Sequence, residues 1–219
     1  FGFSEESKNI VVAYHGVDVS FKPLHAHDAS ALEAVKQKFQ LPDVFVLYVG
    51  RLNLRKNVDH LLRAIPLVQN KSIPLVIVGA DNWKKSNHAN IITDLGIENR
   101  IHFTGAIYNE LGVIYAMAKI FCFPSYAESF GLPPLEAMAS GVPIVVSNTT
   151  SLPEICGDAG IYVQPDRPEE IARAIDTLLA DDVFYTTQKL RGLARAKRFT
   201  WENAAKIVIE SMMASVKRT

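Results

Sequence analysis

The feature that most constrains the fold is a regular alternation of short β-branched apolar runs with stretches of helical spacing. The predicted strands are Asn9–Tyr14, Val44–Val49, Leu75–Val78, Ile101–Phe103, Ile120–Phe123, Ile144–Val146 and Gly160–Val163. The predicted helices are Ala29–Phe39, Val58–Val68, Ala89–Leu95, Glu110–Ala118, Pro134–Ala139 and Glu169–Leu179. Such alternation indicates βαβ units, hence a parallel sheet with helices on both faces. We predict an α/β, Rossmann-like doubly wound core over about residues 10–180, followed by a helical C-terminal tail over 181–219.

Composition and charge exclude several classes of protein. The 219 residues are 48% hydrophobic and 21% charged, and Lys+Arg and Asp+Glu number 23 each, so no overall field favours nucleic acid or an anionic membrane. Two cysteines, Cys122 and Cys156, argue against a disulfide framework, and no apolar run is long enough to span a bilayer. We therefore expect one cytoplasmic domain, residues 1–219, in which a local site holds any anionic ligand.

Ligands of open parallel sheets bind beyond the carboxyl ends of the strands, so the loops that follow the strands are the place to search. Neither G-x-G-x-x-G after a strand nor G-x-x-x-x-G-K-[ST] occurs in the sequence. These absences argue against a dinucleotide-dependent oxidoreductase and against a P-loop ATPase.

The first candidate loop follows the predicted strand Val44–Val49. Gly50 permits close approach of the backbone to a ligand, and Arg51 and Lys56 can converge on one anion, Arg as a planar fork and Lys as a mobile point charge. Asn57 suits the N-cap of the next helix, and Arg55 is expected only to solvate that helix start. A purely structural role for all these cations is the alternative.

The second candidate loop follows Ile120–Phe123 and contains Ser129, Phe130, Gly131 and Leu132 before a helix that starts near Pro133-Pro134. The backbone N–H groups at such a helix start form an anion site. Two carboxylates flank this turn, Glu128 just before the helix and Glu136 in its first turn. Eight helical residues span about 12 Å, which suits hydroxyl groups at two ends of one ligand. Simple complementarity to the helix dipole is the alternative for Glu136.

The stretch F-C-F-P-S-x-x-E-S-F-G-L-P-P-L-E resembles the E-x7-E signature of the retaining GT-B-fold glycosyltransferases of group 1, in their C-terminal donor-binding domain. Further matches follow in the expected order along the chain. They are G-V-D at Gly16–Asp18, V-G-R-L-x-x-x-K-N at Val49–Asn57, L-V-I-V-G at Leu75–Gly79, H-F-T-G at His102–Gly105, A-S-G-V-P-I-V at Ala139–Val145 and S-L-P-E-I at Ser151–Ile155.

The resemblance implies a role for each matching residue. Arg51 and Lys56 would neutralise the diphosphate of a nucleotide-sugar such as a UDP-, GDP- or ADP-sugar, aided by the N–H groups around Phe130, Gly131 and Leu132. Glu128 would bind the donor sugar and Glu136 the ribose, while the base would lie near Ala106-Ile107. The family's chemistry needs no metal and no cofactor, and it retains the anomeric configuration.

The resemblance also implies what this chain does not hold. A GT-B enzyme has two halves, and the acceptor site belongs largely to the N-terminal half, so we expect this chain to be part of a longer protein and inactive alone. The acceptor, whether glycan, lipid or small molecule, is not defined by the sequence. A sugar-nucleotide sensor, a nucleotide-sugar epimerase and a sugar phosphorylase of the same fold remain alternatives. Peripheral attachment of the longer protein to a membrane is a further expectation.

Other polar clusters are interpreted structurally. His25, His27 and Asp28 are expected to form a surface loop rather than a metal site, and His15 is expected to pack. The basic stretch over Lys189–Arg198 is read as a solvated helix face. Pro66 should end or kink the helix Val58–Val68.

Overall fold

A computed structural model describes residues 10–79 and 87–216 of the chain. In this part, six strands form one parallel sheet: β1 (Val46–Val49), β2 (Leu75–Val78), β3 (Ile101–Gly105), β4 (Ile120–Phe123), β5 (Ile144–Ser147) and β6 (Gly160–Val163). Their order is β3-β2-β1-β4-β5-β6, and every neighbouring pair is parallel. The direction of winding therefore reverses between β1 and β4.

Helices cover the sheet on both faces, as the sequence predicts. Over the described residues they are α1 (Ala29–Lys38), α2 (Val58–Ala64), α3 (Asn87–Leu95), α4 (Leu111–Met117), α5 (Leu132–Ala139), α6 (Leu152–Cys156), α7 (Pro168–Ala180), α8 (Asp182–Ala196) and α9 (Trp201–Val216). One layer contains α2, α3 and α7, and the other contains α1, α4, α5 and α8. Since both faces are covered, the central strands β1, β2, β4 and β5 consist mainly of buried Val, Ile, Leu and Phe side chains.

The predicted strand Asn9–Tyr14 is wrong within the described part of the chain, and Asn9 lies outside that part. Residues 10–14 form no strand, and the side chains of Ile10 and Val12 are more than half exposed. A β-branched run becomes a strand only where it finds a partner strand, and this segment pairs with neither edge of the sheet. Tyr14 instead packs its ring against Phe130 and Phe199.

Helix ends follow local sequence chemistry. Helix α2 stops at Ala64 and gives way to a 3-10 turn over Ile65–Leu67, which confirms the effect predicted for Pro66. Helix α6 was not predicted, because five residues are too few to show a helical period.

The helical tail is present, with its two helices in different surroundings. Helix α8 packs on α5, where Gly192 allows close approach to Met138. The start of α9 lies against the early segment through a hydrogen bond from the Val17 N–H to Phe199 O at 3.1 Å. Beyond Trp201, α9 leaves Ile209, Met212 and Met213 more than half exposed. Within residues 10–79 and 87–216, no helix has the length and apolar character needed to cross a membrane.

Candidate functional site

The loops after β1 and β4 meet, although they are far apart in the sequence. Parallel pairing of Val46 with Ile120 places the two strands side by side at the reversal of strand order. The loops are joined directly, because the Tyr126 N–H donates to Arg55 O at 2.9 Å and Ser125 Oγ donates to the same oxygen at 3.0 Å. Lys56 and the predicted carboxylate Glu128 are thus in contact at the reversal of strand order, where doubly wound folds bind ligands in a crevice.

Glu128 is enclosed by donors from both loops. Its Oε1 lies 2.7 Å from Lys56 Nζ and 2.5 Å from Ser125 Oγ, and its Oε2 lies 3.3 Å from Arg55 Nη1. The side chain of Glu128 is 7% exposed and that of Lys56 is 12% exposed. The Lys56 ammonium also lies 4.9 Å from the centre of the Phe123 ring. Such charge-assisted bonds, largely removed from water, fix the carboxylate in one orientation.

The expectation that Arg55 merely solvates a helix start is wrong. Its Nη1 donates to Ala127 O at 2.7 Å in addition to its contact with Glu128, because the 3-10 turn Leu54–Lys56 directs it toward the neighbouring loop. Arg51, in contrast, is exposed, and its guanidinium contacts no partner among the described residues. Among the residues that the structure describes, Arg51 is therefore the cation of this loop that has no protein partner.

Asn57 ties together loops from three strands. It lies at the N-cap position of α2, as predicted, but its side chain makes no cap bond to the helix. Its Nδ2 donates to Pro124 O at 2.8 Å and to Pro165 O at 2.5 Å, while its Oδ1 faces His60 Nδ1 at 2.7 Å. The residue is 3% exposed and has a left-handed backbone, so the loops after β1, β4 and β6 share one buried amide.

The start of α5 provides unpaired donors beside Glu128. Gly131, at φ +111°, is the N-cap, and an added Cβ there would press on Leu152. Within the described part of the chain, the backbone N–H groups of Ser129, Phe130 and Gly131 donate no hydrogen bond. Pro133 and Pro134 carry no N–H, so the donors of this helix end are concentrated in the turn before it.

The prediction that Glu136 lies in the first turn of its helix is wrong, because α5 begins at Leu132 and Glu136 lies one turn further along. Burial raises its pKa, and the Tyr115 hydroxyl, which donates to Glu136 Oε2 at 2.8 Å, acts in the opposite direction. Tyr115 is completely buried, with its ring against Phe21 and Phe121. The carboxylate is thus held by a rigid aromatic neighbour, which the sequence analysis did not identify.

The remaining predicted residues lie on the β1 side of the crevice. Gly50 donates its N–H to Val78 O at 2.9 Å, and an added Cβ on Gly79 would overlap Gly50 O, so these two strand ends are in backbone contact. Gly79 in turn donates to Gly105 O at 3.0 Å. Just beyond Gly105, Ala106 is exposed and Ile107 is buried. The loop after β3 therefore continues the row of loops that begins at Glu128.

The loop after β5 contributes polar contacts that the sequence analysis missed. The Glu128 N–H donates to Thr150 Oγ1 at 2.9 Å, and Ser151 Oγ lies 3.0 Å from Glu128 O and 2.8 Å from Phe130 O. Thr150 has φ +51°, which is unusual for a β-branched residue and costs about 1–3 kcal/mol. The run of hydroxyl residues directly after a predicted strand is the signal that could have identified this loop.

The other clusters considered from the sequence have structural roles. The interpretation of Lys189–Arg198 as a solvated helix face is wrong for Arg195, whose Nε donates to Ile155 O at 2.9 Å. The His15 ring packs edge-on against Phe130 and Trp201, as expected. His27 Nε2 contacts Lys22 O, and Asp28 caps α1. In residues 10–79 and 87–216, no group of His, Cys, Asp or Glu has the arrangement of a metal site. Both cysteines are free and buried, and burial raises the pKa of the Cys156 thiol to about 12.

A doubly wound parallel sheet with polar loops gathered at its reversal defines a Rossmann-like ligand-binding fold. The family model for glycosyl transferases group 1 matches residues 31–198 of this chain. The chain therefore belongs to the group 1 glycosyltransferases.

Individual relatives agree with this assignment. O-antigen chain mannosyltransferase B of Escherichia coli is 40% identical over 174 residues, which are 77% of this chain and 46% of that protein. Sucrose-phosphate synthase from Thermosynechococcus elongatus superimposes with a TM-score of 0.77 at 30% identity, over 94% of this chain and 52% of that one. The C-terminal domain of a group 1 glycosyl transferase from Francisella tularensis gives 0.70 at 25% identity, over 84% of this chain and 97% of that one. The chain thus spans about half the length of the first two.

Proposed function

We propose that this chain is the donor-binding half of a retaining glycosyltransferase, which transfers a sugar from a nucleotide-diphosphate-sugar to an acceptor. The observation that carries the proposal is the junction of Lys56 with Glu128 beside the unpaired N–H groups before α5. Phosphate-binding and hydroxyl-binding groups are thereby adjacent in one crevice. The match to nearly the whole of a solved C-terminal domain supports the assignment to this half.

The crevice suits a diphosphate by charge and by donor geometry. Arg51 has no partner within residues 10–79 and 87–216, so it would offer its planar fork to phosphate oxygens, and Lys56 retains donor capacity because an ammonium carries three hydrogens. The N–H groups around Phe130, Gly131 and Leu132 add the positive end of α5. These groups would stabilise the charge that develops on the leaving nucleoside diphosphate, which is the task that preorganised donors perform in catalysis. No metal is required in this scheme.

The two glutamates would bind hydroxyl groups at opposite sides of the diphosphate. Glu128, next to Lys56, would accept hydrogen bonds from the donor sugar, and Glu136 would accept them from the ribose. The base would lie toward Ala106-Ile107, in the row of loops that runs from β4 to β3. Ser129 and Gly50 would border the phosphates through their backbone.

The surroundings of Glu128 favour a binding role over a nucleophilic one. Its carboxylate is shared among Lys56, Arg55 and Ser125, and such pairing withdraws charge from the oxygens. We therefore propose that retention arises by attack of the acceptor on the same face that the leaving group departs, without a covalent glycosyl-enzyme at this residue.

The donor sugar and the whole reaction are proposed from the relatives. Because the 40% identical protein is named a mannosyltransferase, we propose a mannosyl donor and an acceptor on a growing glycan. The acceptor site would lie in an N-terminal half, so this chain alone would bind donor and transfer no sugar. Transfer by the isolated chain would contradict that division of labour.

A thermal-shift panel tests the proposal directly. Wild-type protein would be mixed with UDP, GDP and ADP and with their glucose and mannose derivatives. A ligand that binds only the folded state stabilises it by about 2.7 kcal/mol at one hundred times its Kd, so one base should stand out. Lys206→Met, on exposed α9, should respond like the wild type. If none of these nucleotides raises the melting temperature, the proposed function is wrong.

A further inference from the structure

Side chains of the loop after β5 form hydrogen bonds with the backbone of the turn that precedes α5. Ser147 Oγ and Thr149 Oγ1 both donate to Ser125 O, and Ser151 Oγ reaches Glu128 O and Phe130 O. Thr150 Oγ1 accepts the N–H of Glu128 at 2.9 Å. Hydroxyl groups of one loop therefore hold the neighbouring loop at four peptide groups between Ser125 and Gly131, and the one Ser151 hydroxyl hydrogen is shared between two of the carbonyl oxygens.

Because the peptide bond is planar, these contacts with carbonyl groups also fix the directions of the N–H groups that follow them. In a trans peptide the C=O of one residue and the N–H of the next point to opposite sides. Because Glu128 O and Phe130 O both point toward Ser151, the N–H groups of Ser129 and Gly131 point away from the loop after β5. The Glu128 N–H, in contrast, points toward that loop and is used by Thr150.

The order of the strands shows which loop lies on the side opposite to the loop after β5. Strand β4 lies between β1 and β5, so the side away from the β5 loop is the side of the β1 loop. That loop holds Arg51 and Lys56. The N–H groups of Ser129 and Gly131 thus point to the side on which the β1 loop lies.

We infer that Ser151 is a positioning residue for phosphate binding: its hydroxyl fixes the peptide planes 128–129 and 130–131 so that the Ser129 and Gly131 N–H groups face a diphosphate. This inference rests on the proposed function. Thr150 supports the same arrangement, and its left-handed backbone, rare for a β-branched residue, places its hydroxyl at the Glu128 N–H.

The first test compares serine variants in nucleotide binding. Ser151→Ala should weaken UDP or GDP binding about tenfold and weaken the matching monophosphate much less, because one of two phosphates loses its oriented donors. Ser151→Thr retains the hydroxyl and should bind like the wild type. Ser140→Ala is the matched control, since the buried Ser140 hydroxyl has no hydrogen-bond partner in the described structure. Equal loss for both phosphate forms, or no loss, overturns the inference.

The second test needs no variant, so it checks the direction of the Ser129 and Gly131 N–H groups even if Ser151→Ala does not fold. In an amide spectrum of labelled wild-type protein, UDP or GDP should shift the Ser129 and Gly131 N–H signals strongly and the Glu128 N–H signal little. A strong shift at Glu128 with unchanged Ser129 and Gly131 overturns the inference while leaving the proposed function intact. If the wild type binds no nucleoside diphosphate, both proposals fail together.

Discussion

Lys56 and Glu128 are 72 residues apart in the sequence, yet Nζ and Oε1 lie 2.7 Å apart in a nearly buried contact. The pairing of β1 with β4 brings them together. It puts a cation suited to phosphate and a carboxylate suited to hydroxyl groups in one place.

Replacing the Glu128 carboxylate should separate its effect on diphosphate affinity from its effect on the preference for the sugar-bearing donor. Glu128→Gln keeps the size of the side chain and removes its charge, so the crevice becomes more positive. We expect free UDP or GDP to bind about fivefold more tightly, equivalent to about 1 kcal/mol, and the preference for the sugar-bearing donor to fall. Isothermal titration of both ligands measures this ratio. Glu33→Gln on α1 should change neither affinity, and weaker binding of the plain diphosphate by Glu128→Gln would contradict the proposed role.

Removing the Lys56 ammonium should lower the affinity for a nucleoside diphosphate, which is the opposite of the effect expected for Glu128→Gln. Lys56→Met keeps most of the apolar stem and leaves Glu128 paired with Arg55 and Ser125. Loss of a hydrogen bond to a charged group costs about 1.5–3 kcal/mol, so nucleoside diphosphate affinity should drop roughly ten- to hundred-fold. Lys206→Met, titrated under the same conditions, serves as the control. An affinity within twofold of the wild type would show that Lys56 has a structural role only.

The pH dependence of stability should reveal Glu136. Because burial raises its folded-state pKa, its contribution to stability is present at low pH and is lost as the pH rises through that pKa. Tyr115→Phe removes a bond that lowers the pKa, so the variant should be less stable than the wild type by about 1–3 kcal/mol near neutral pH, with a difference that shrinks toward acid.

Urea unfolding at a series of pH values measures that difference. Tyr185→Phe removes a comparable hydroxyl, which donates to Lys119 O at 3.1 Å and contacts no carboxylate. Its effect should therefore be independent of pH. A pH-independent effect of Tyr115→Phe as well would show that Glu136 does not titrate through this contact.

Two asparagines in the first loop offer a sharp comparison. Asn57→Asp turns a doubly donating amide into oxygens that face Pro124 O and Pro165 O, so the free energy of unfolding should fall by about 3 kcal/mol or more. Asn53→Asp keeps the oxygen that accepts from the Lys56 N–H and should stay within about 0.5 kcal/mol of the wild type. Urea midpoints with unchanged slopes provide the measurement, and similar values for both variants would refute the bridging role.

The order of strands and helices was predictable because each element has a local signature. The runs at Leu75–Val78 and Ile120–Phe123 match the observed strands at both ends. Residues 10–14 show the limit of that signature, since strand formation depends on a partner that propensity does not reveal.

The candidate site was predictable at the level of loops and less so at the level of contacts. Lys56 and Glu128 could be named because both follow strands in a parallel sheet. The contacts that could not be predicted depend on which loops become neighbours. They are the hydrogen bond from Tyr115 to Glu136, the bridging amide of Asn57 and the contacts of the Ser151 hydroxyl. That information lies in the strand order, which no single segment of sequence contains.

The two prolines at the start of α5 limit where an anion can settle. The N-terminus of an ordinary helix presents several adjacent unpaired amide hydrogens, so an anion can bind there in more than one position. In α5, Pro133 and Pro134 have no amide hydrogen, so the donors that can bind an anion lie in the turn just before the helix. Under the proposed function, a diphosphate bound in that turn would have Glu128 on one side and Glu136 on the other, so the two carboxylates would set the distance between the hydroxyl groups that a donor must present.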